Sequence, residues 1–312
     1  MSQPRLANFV IGGTEKAGTT SVFDWLSTHP DVCGSAKKET DFFRHGFTGD
    51  LDADARRYGG FFEHCARDAA VRMEASPGYL GEAALVAPRM RRLAPGIKLL
   101  FILRDPIDRL YSSYNFHLGK LDLPRNLTFD DYVSRCFEYD RRVKRSQELG
   151  LDDWYLKVLR FGCYAEFIAI FCAELDPRHI KVMFFESLRR DEPGFMTELS
   201  KFLGIDPSGW AGFEFRKSNV TFSGRNPALH RLAMKTNAVV EPVMRRYPAL
   251  KQTLVRAYKA VNQAREGYDP MPARTRERLV EYYAPSIDAL QRYLGVELPT
   301  EWRHRPQGMR AA

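Results

Sequence analysis

Residues 13–21, GTEKAGTTS, have the composition of a loop that binds phosphate. Gly13 and Gly18 enclose the loop, and three hydroxyl side chains follow Gly18 directly. A glycine turn between a strand and a helix directs backbone N–H groups and the positive end of the helix dipole at an anion. Lys16 adds a positive charge inside the turn. The segment therefore predicts a site for one or two phosphate groups.

The position of the lysine distinguishes this loop from the loop of P-loop kinases and ATPases. Their pattern is G-x-x-x-x-G-K-[ST], in which the lysine follows the second glycine and the hydroxyl group binds Mg²⁺. Here Thr19 follows Gly18, and the lysine is Lys16. No acidic residue at the end of a predicted strand is placed to bind a metal ion. The loop is thus typical of a donor whose transferred group carries less charge than a phosphoryl group, such as sulfuryl, and we expect no metal.

A second anion-binding residue is predicted after the apolar segment KLLFIL, residues 98–103. A continuous apolar run is typical of a parallel strand that is covered on both faces. Arg104 follows this strand, and Asp105 and Pro106 suit the N-cap and the first position of the next helix. Arg104 is therefore expected beside an anion at the start of that helix.

Strand segments alternate with amphipathic helical segments along most of the chain. We predict strands at residues 8–12, 71–75, 98–103 and 180–185, and helices ending at Ser27 or spanning 82–93, 164–175 and 193–203. This alternation predicts an α/β fold, a doubly wound parallel sheet flanked by helices. Beyond Asn226 the sequence shows only helical patterns. We expect one domain, 1–312, with a core over about 7–227 and a helical C-terminal cap over about 228–312.

The sequence resembles the sulfotransferases that use 3′-phosphoadenosine 5′-phosphosulfate (PAPS). IGGTEKAGTTSVFDWLSTHP is similar to their 5′-phosphosulfate loop, and LLFILRDPIDRLYSSYNFH to their 3′-phosphate segment. KKETDFF resembles a segment of the carbohydrate branch, as in heparan sulfate sulfotransferases, MEASPGYL resembles the strand and turn that follow it, and FSGRNP resembles the late loop that closes over the cofactor. The resemblance covers about residues 8–227. It implies a P-loop-like fold, PAPS as the donor and adenosine 3′,5′-bisphosphate (PAP) as the product.

The same resemblance implies the roles of individual residues. Lys16 matches the lysine that contacts the sulfuryl group and the bridging oxygen, and Arg104 matches the 3′-phosphate arginine. Ser112 would join Arg104, and Ser113 is a rival because a shift of one residue exchanges the two. The residues implied in cofactor binding are Lys16, Ala17, Gly18, Thr19, Thr20, Ser21, Arg104, Ser112, Ser223, Gly224 and Arg225.

Glu39, in KKETDFF, matches the general base of the carbohydrate branch. An acceptor hydroxyl group loses a proton as it attacks sulfur, and a carboxylate within hydrogen-bond reach can accept that proton. His45, shortly after the paired phenylalanines, is the alternative base. The heparan sulfate branch has a lysine where this sequence has Ala75. The difference argues against a heavily anionic acceptor, so the expected acceptor is a hydroxyl group of a glycan, a glycolipid or a secondary metabolite.

Composition restricts the partners and the compartment. The net charge of +8 suits an anionic partner, but the basic pairs are dispersed and no nucleic-acid-reading motif is present, so we expect no nucleic acid. No apolar run approaches the ~20 residues of a membrane span, and no signal peptide is recognisable. The five cysteines lack CxxC spacing, which favours a reducing cytoplasm over a disulfide framework or structural zinc.

Two other functions stay open on the sequence. A P-loop kinase of nucleotides or sugars would use a similar loop, but its lysine and metal ligands are missing. A non-catalytic nucleotide-binding or nucleic-acid-binding protein is motivated by the net charge alone. We therefore predict a bacterial, cytoplasmic enzyme that transfers sulfuryl from PAPS to a hydroxyl group by in-line displacement. Its oligomeric state is left open.

Overall fold

A five-stranded parallel sheet forms the centre of the protein, which a computed structural model describes over residues 4–215, 222–224, 263–266 and 269–303. The strands are β1 (Phe9–Gly13), β2 (Val32–Gly34), β3 (Val71–Ala75), β4 (Lys98–Leu103) and β5 (Ile180–Phe184). Their order is β2-β3-β1-β4-β5, and neighbouring strands are parallel. Because β3 and β4 lie on opposite sides of β1, the winding of the chain reverses at β1.

Helices cover both faces of this sheet. The α-helices of the described residues are α1 (Thr19–Leu26), α2 (Leu51–Gly59), α3 (Ala83–Leu93), α4 (Pro106–Lys120), α5 (Phe129–Asp140), α6 (Ser146–Leu149), α7 (Asp153–Leu156), α8 (Tyr164–Glu174), α9 (Phe185–Arg190), α10 (Glu192–Leu203) and α11 (Ala273–Leu294). Phe101 of β4 packs in the core formed with α3 and α8, whereas Leu100 packs in the core formed with α1 and α10. The predicted doubly wound α/β sheet is therefore confirmed.

Most strands lie where the sequence predicts them. β3 and β4 have the predicted bounds, and β1 and β5 differ from the prediction by one residue at their ends. The sequence did not predict β2, because three residues are too few for a periodic apolar pattern. The strands that the sequence predicted have five or six residues, whereas β2 has three.

The C-terminal part contains a strand as well as a helix. β6 (Phe222–Gly224) and β7 (Gln263–Glu266) form an antiparallel pair, so the expectation of only helical structure beyond Asn226 is wrong for β7. The sequence of β7, QARE, has no apolar alternation that could have shown it. α11 packs on the rest of the protein, and the Tyr283 hydroxyl donates to the Leu159 carbonyl oxygen over 2.8 Å. The division into core and cap near residue 227 falls outside the described ranges and stays a prediction.

Cys33 and Cys65 form a disulfide, which contradicts the expectation from the sequence. Cys33 lies in β2, and Cys65 lies in the connection that leads to the neighbouring strand β3. The fold brings their Cα atoms to 5.8 Å although they are 32 residues apart in the sequence. No local spacing such as CxxC could reveal a pair at this separation.

Reduction of this disulfide should destabilise the protein. A cross-link between distant residues restricts the unfolded chain, and its loss typically costs about 2–4 kcal/mol. We expect the urea midpoint, followed by circular dichroism, to fall when dithiothreitol is added. Cys33→Ser, which has no bond to reduce, is the control and should not respond to the reductant. A wild-type midpoint that is insensitive to dithiothreitol would contradict the role of the disulfide.

Candidate active site

The loop between β1 and α1 forms the centre of the candidate site. It follows the strand at which the winding reverses, and open α/β sheets bind ligands at that position. Gly18 is the N-cap of α1 with φ 79°, and the helix start has no side-chain cap. A side chain at Gly18 would collide with α9. Ala17 and Thr19 are buried, whereas Thr20 and Ser21 are partly exposed. This close-packed turn suits an anion at the helix start.

Lys16 lies at the crest of the loop with φ 67°. Its Nζ atom is 3.7 Å from the centre of the Phe116 ring, on α4. The pKa of Lys16 is lowered to about 8, chiefly by burial; the charge of Glu15 opposes this shift and the charge of Arg104 adds to it. A lysine that is partly withdrawn from water in this way interacts strongly with an anion.

Arg104 connects the second sequence motif to the loop. It follows β4, and its guanidinium donates to the carbonyl oxygen of Lys16 over 2.9 Å. Its guanidinium carbon lies 4.8 Å from the centre of the Phe185 ring. Asp105 caps α4 by accepting hydrogen bonds from backbone N–H groups of the first turn, as predicted. The fold therefore brings the two predicted anion-binding residues together.

The other predicted cofactor residues lie on α4, on β6 or outside the described residues. Ser112 and Ser113 both lie on α4, and both are buried, at 7% and 1% exposure. Their burial does not decide which one would join Arg104. Ser223 and Gly224 lie in β6, whose backbone alone is described, and Arg225 lies outside the described residues. Their proposed contacts with the donor stay predictions.

Glu39, the predicted base, lies in the turn beside the end of β3. Its N–H donates to the carbonyl oxygen of Ala75 over 2.9 Å, and its φ is 61°. Its carboxylate forms a 2.9 Å ion pair with Lys38, and the side chain is 55% exposed. The negative charge of Glu39 raises the pKa of Lys16. The structure thus places Glu39 at the same end of the sheet as Lys16, with its carboxylate open to solvent.

His45 and His29 differ in environment. His45, the alternative base, is exposed on the π-helix Phe42–Gly46, a few residues after Glu39. His29 is buried, and its Nε2 lies 2.9 Å from the carbonyl oxygen of Asp206. That contact, at the turn after α1, fits a structural role for His29.

Metal-ligand side chains cluster at one place within the described ranges. Cys33, His64 and Cys65 have ligand atoms within 4.8 Å of one another. Both cysteines belong to the disulfide, which leaves His64 as the one free ligand of this group. The loop instead carries Lys16, with Arg104 beside it, and both are residue types that bind anions.

Comparison with known proteins identifies the family from the part of the chain that forms this site. The family model of the sulfotransferase domain matches residues 6–218. The chain belongs to the sulfotransferase domain family. The matched residues include the loop, Glu39 and Arg104, and the membership favours a sulfotransferase over the P-loop kinase that the sequence left open.

Individual sulfotransferases are similar to parts or all of this chain. Membrane-associated sulfotransferase kil1 of Dictyostelium discoideum is 30% identical over 152 residues, 45% of this chain and 32% of that protein. Human heparan sulfate glucosamine 3-O-sulfotransferase 3B1 is 26% identical over 204 residues, 64% of this chain and 47% of that protein. A crystal structure of a sulfotransferase from Alicyclobacillus acidocaldarius matches 96% of this chain and 100% of its own, with 25% identity and a TM-score of 0.64. The chain spans less than half the length of both curated relatives.

A buried carboxylate beneath Glu39 was missed in the sequence. Glu74 of β3 is fully buried, and the Thr40 hydroxyl donates a hydrogen bond to its Oε2 atom. Glu39 and Asp41, on either side of Thr40, both have positive φ, 61° and 49°. Glu74 therefore anchors the strained turn of the sulfotransferase domain that presents Glu39. The signal was a charged residue inside an otherwise apolar strand, VRMEA.

The sequence also offered no indication of a hydrogen-bonded group of three charged residues, Glu15, His117 and Asp122, next to Lys16. The ring of His117, in the last turn of α4, has Nε2 3.1 Å from Glu15 Oε1 and Nδ1 2.9 Å from Asp122 Oδ2. Burial opposes the charged ring, but the hydrogen bonds to the two carboxylates raise the pKa of His117 overall. Glu15 and His117 are 102 residues apart in the sequence, which hides their contact.

Replacement of Glu74 by Gln should remove a pH dependence of stability. Burial raises the pKa of Glu74 from 4.5 to about 7 in the folded protein, so the folded state holds the proton more tightly than the unfolded chain does. The resulting stabilisation is fully present below about pH 4 and is lost as the pH rises through about 7. In urea unfolding at about pH 5 and about pH 8, the wild type should lose more stability than Glu74→Gln. Equal losses in the two proteins would show that Glu74 does not titrate in this way.

Proposed function

We propose that this sulfotransferase domain transfers a sulfuryl group from PAPS to a hydroxyl group of an acceptor and releases PAP. The observation that carries the proposal is the hydrogen bond from Arg104 to the carbonyl oxygen of Lys16. It places two basic side chains beside an uncapped helix start at one edge of the sheet. Such an arrangement suits a donor that carries phosphate groups at two positions. Glu39 at the same edge suits activation of the acceptor.

In this proposal the chain binds the two phosphates of the donor with different elements. The backbone N–H groups at the start of α1, with the hydroxyl groups of Thr19, Thr20 and Ser21, bind the 5′-phosphate. Arg104, joined by Ser112 or Ser113, binds the 3′-phosphate through a forked contact. Ser223, Gly224 and Arg225 close over the donor, as the resemblance implies.

Two residues act on the reacting atoms. The acceptor oxygen forms a bond to sulfur while the bond from sulfur to the phosphate oxygen breaks, and Glu39 accepts the proton of the acceptor hydroxyl. The ammonium of Lys16 stabilises the negative charge that develops on the departing phosphate oxygen. Because the site holds donor and acceptor in line, positioning supplies a further share of the rate enhancement.

The proposed acceptor is a hydroxyl group of a glycan, a glycolipid or a secondary metabolite. The human relative is named for heparan sulfate glucosamine, which is a highly anionic acceptor. In this chain Ala75 stands, buried, where the heparan sulfate branch has a lysine. The missing charge favours an acceptor with less negative charge than heparan sulfate.

A cytoplasmic location stays a proposal. No helix in the described part of the chain is long and apolar enough to cross a membrane. The cysteine argument for a reducing compartment no longer holds, because the Cys33–Cys65 disulfide would persist more readily under oxidising conditions. Alkylation of free thiols in intact cells, followed by mass spectrometry, would show whether this bond forms in the cytoplasm.

Arg104→Ala should abolish most of the preference for a 3′-phosphate. The wild type should bind PAP much more tightly than 5′-AMP, because a hydrogen bond to a charged group contributes ~1.5–3 kcal/mol. Isothermal titration calorimetry with both nucleotides measures the preference. Arg178→Ala, which removes an exposed arginine paired with Asp176, is the matched control and should keep it. Equal affinities of the wild type for PAP and 5′-AMP would refute the proposed donor.

Lys16→Ala and Glu39→Gln should each lower the reaction rate, but for different chemical reasons. Lys16→Ala should lower kcat strongly and leave PAP affinity comparatively intact, because the contact strengthens in the transition state. Glu39→Gln should lower the rate roughly 10²–10⁴-fold with unchanged PAP affinity.

A phenol acceptor separates the two roles. A phenol has an acidic hydroxyl group that depends less on a base, so it should partly rescue Glu39→Gln and not Lys16→Ala. The measurement is initial rates with labelled PAPS. Normal activity of Glu39→Gln, or equal rescue of both variants, would remove Glu39 as the base and direct the search to His45.

A further inference from the structure

The last turn of α4 holds the crest of the loop from one side. The ring of Phe116 lies 3.7 Å from the Lys16 ammonium, and the ring of His117 lies 3.1 Å from the Glu15 carboxylate. Two consecutive residues of α4 therefore contact two consecutive residues of the crest. Loops that carry catalytic groups need such contacts, because a side chain that is free to rotate seldom adopts the productive geometry.

His117 joins two carboxylates, so it carries a positive charge. Its Nδ1 atom lies 2.9 Å from Asp122, in the segment that follows α4, and its Nε2 atom contacts Glu15. An imidazole ring donates from both nitrogens only when it is protonated. The side chains of His117, Glu15 and Asp122 are 11%, 26% and 34% exposed. This partial shielding makes their charges interact more strongly than at an open surface.

Besides burial, charged neighbours act on the Lys16 ammonium. Arg104 and Lys120 disfavour its charge, and Glu15 and Glu39 favour it, with Glu15 the stronger of the two carboxylates. Lys120 lies in the same turn of α4 that carries the contacts to the crest. Glu15 is therefore the principal group that opposes the loss of the Lys16 proton.

We propose that Glu15, His117 and Asp122 are positioning residues for sulfuryl transfer. His117 holds the Glu15 carboxylate against α4, Asp122 keeps His117 charged, and the fixed Glu15 keeps Lys16 charged beside the donor. The inference rests on the proposed function, because Lys16 is the residue that contacts the reacting atoms. Glu15, His117 and Asp122 act through Lys16.

The charge on Lys16 can be measured without enzymatic activity. Trace acetylation with acetic anhydride over a pH series, with mass spectrometry of the Lys16 peptide, reports its titration. The wild-type lysine should titrate at about 8, and Glu15→Gln should shift this titration about one pH unit lower because an opposite charge is removed. Glu166→Gln, which removes an exposed carboxylate paired with Arg160, is the matched control and should cause no shift. An unshifted Lys16 in Glu15→Gln would overturn the proposal.

The pH profile of kcat separates positioning from a merely structural role. With labelled PAPS and an acceptor found by screening, the alkaline limb for Glu15→Gln should move to lower pH with the Lys16 titration, and activity should recover at low pH. Asp122→Asn changes the most exposed of the three side chains. It should shift the alkaline limb of the kcat profile in the same direction, but by less. This second variant keeps the test available if Glu15→Gln does not fold.

The outcomes distinguish this inference from the proposed function. Unchanged alkaline limbs in both variants, with an active wild type, would overturn the positioning role and leave sulfuryl transfer standing. A wild type that transfers no sulfuryl group to any screened hydroxyl, while the acetylation shift is present, would refute the proposed function and not the charge relation between Glu15 and Lys16.

Discussion

The hydrogen bond from Arg104 to the carbonyl oxygen of Lys16 joins the two halves of the candidate site. It exists because β1 and β4 are parallel neighbours, so the loop after one and the arginine after the other emerge at the same edge. The bond fixes a crest with positive φ and keeps two positive side chains adjacent. The two positive charges repel each other, and a bound anion would offset this repulsion. The rest of the site either supports this pair of cations or places a carboxylate near it.

Three carboxylates of the site lie at different depths. Glu74 lies in the core and fixes the turn through Thr40, Glu39 is open to solvent at the same edge, and Glu15 lies between them in exposure, tied to α4. Depth determines what each can do, because burial disfavours a charged carboxylate and exposure favours it. The core carboxylate suits anchoring, the partly shielded one suits tuning of a neighbour, and the exposed one suits proton transfer.

Local patterns allowed the sequence to predict much of this arrangement. The glycine loop, the apolar strand β4 and the cap at Asp105 are each encoded within a few residues, and the structure has all three. The disulfide and the contact of Glu15 with His117 depend on residues far apart in the chain, so no local pattern could reveal them. The roles of Lys16 and Glu39 came from the family resemblance and stay predictions, since a fold fixes the position of a side chain and not its part in a reaction.

The disulfide also separates one segment of the sequence covalently from the residues around it. Residues 33–65 form a covalently closed ring that contains Glu39 and the π-helix, whereas Lys16 and Arg104 lie outside it. Lengthening a closed loop adds little entropic cost, because that cost rises only with the logarithm of its length. New residues can therefore be accommodated in the ring while the cation pair at the sheet edge keeps its geometry. A library confined to the ring would therefore vary the surroundings of Glu39 and leave the segments that carry Lys16 and Arg104 unchanged.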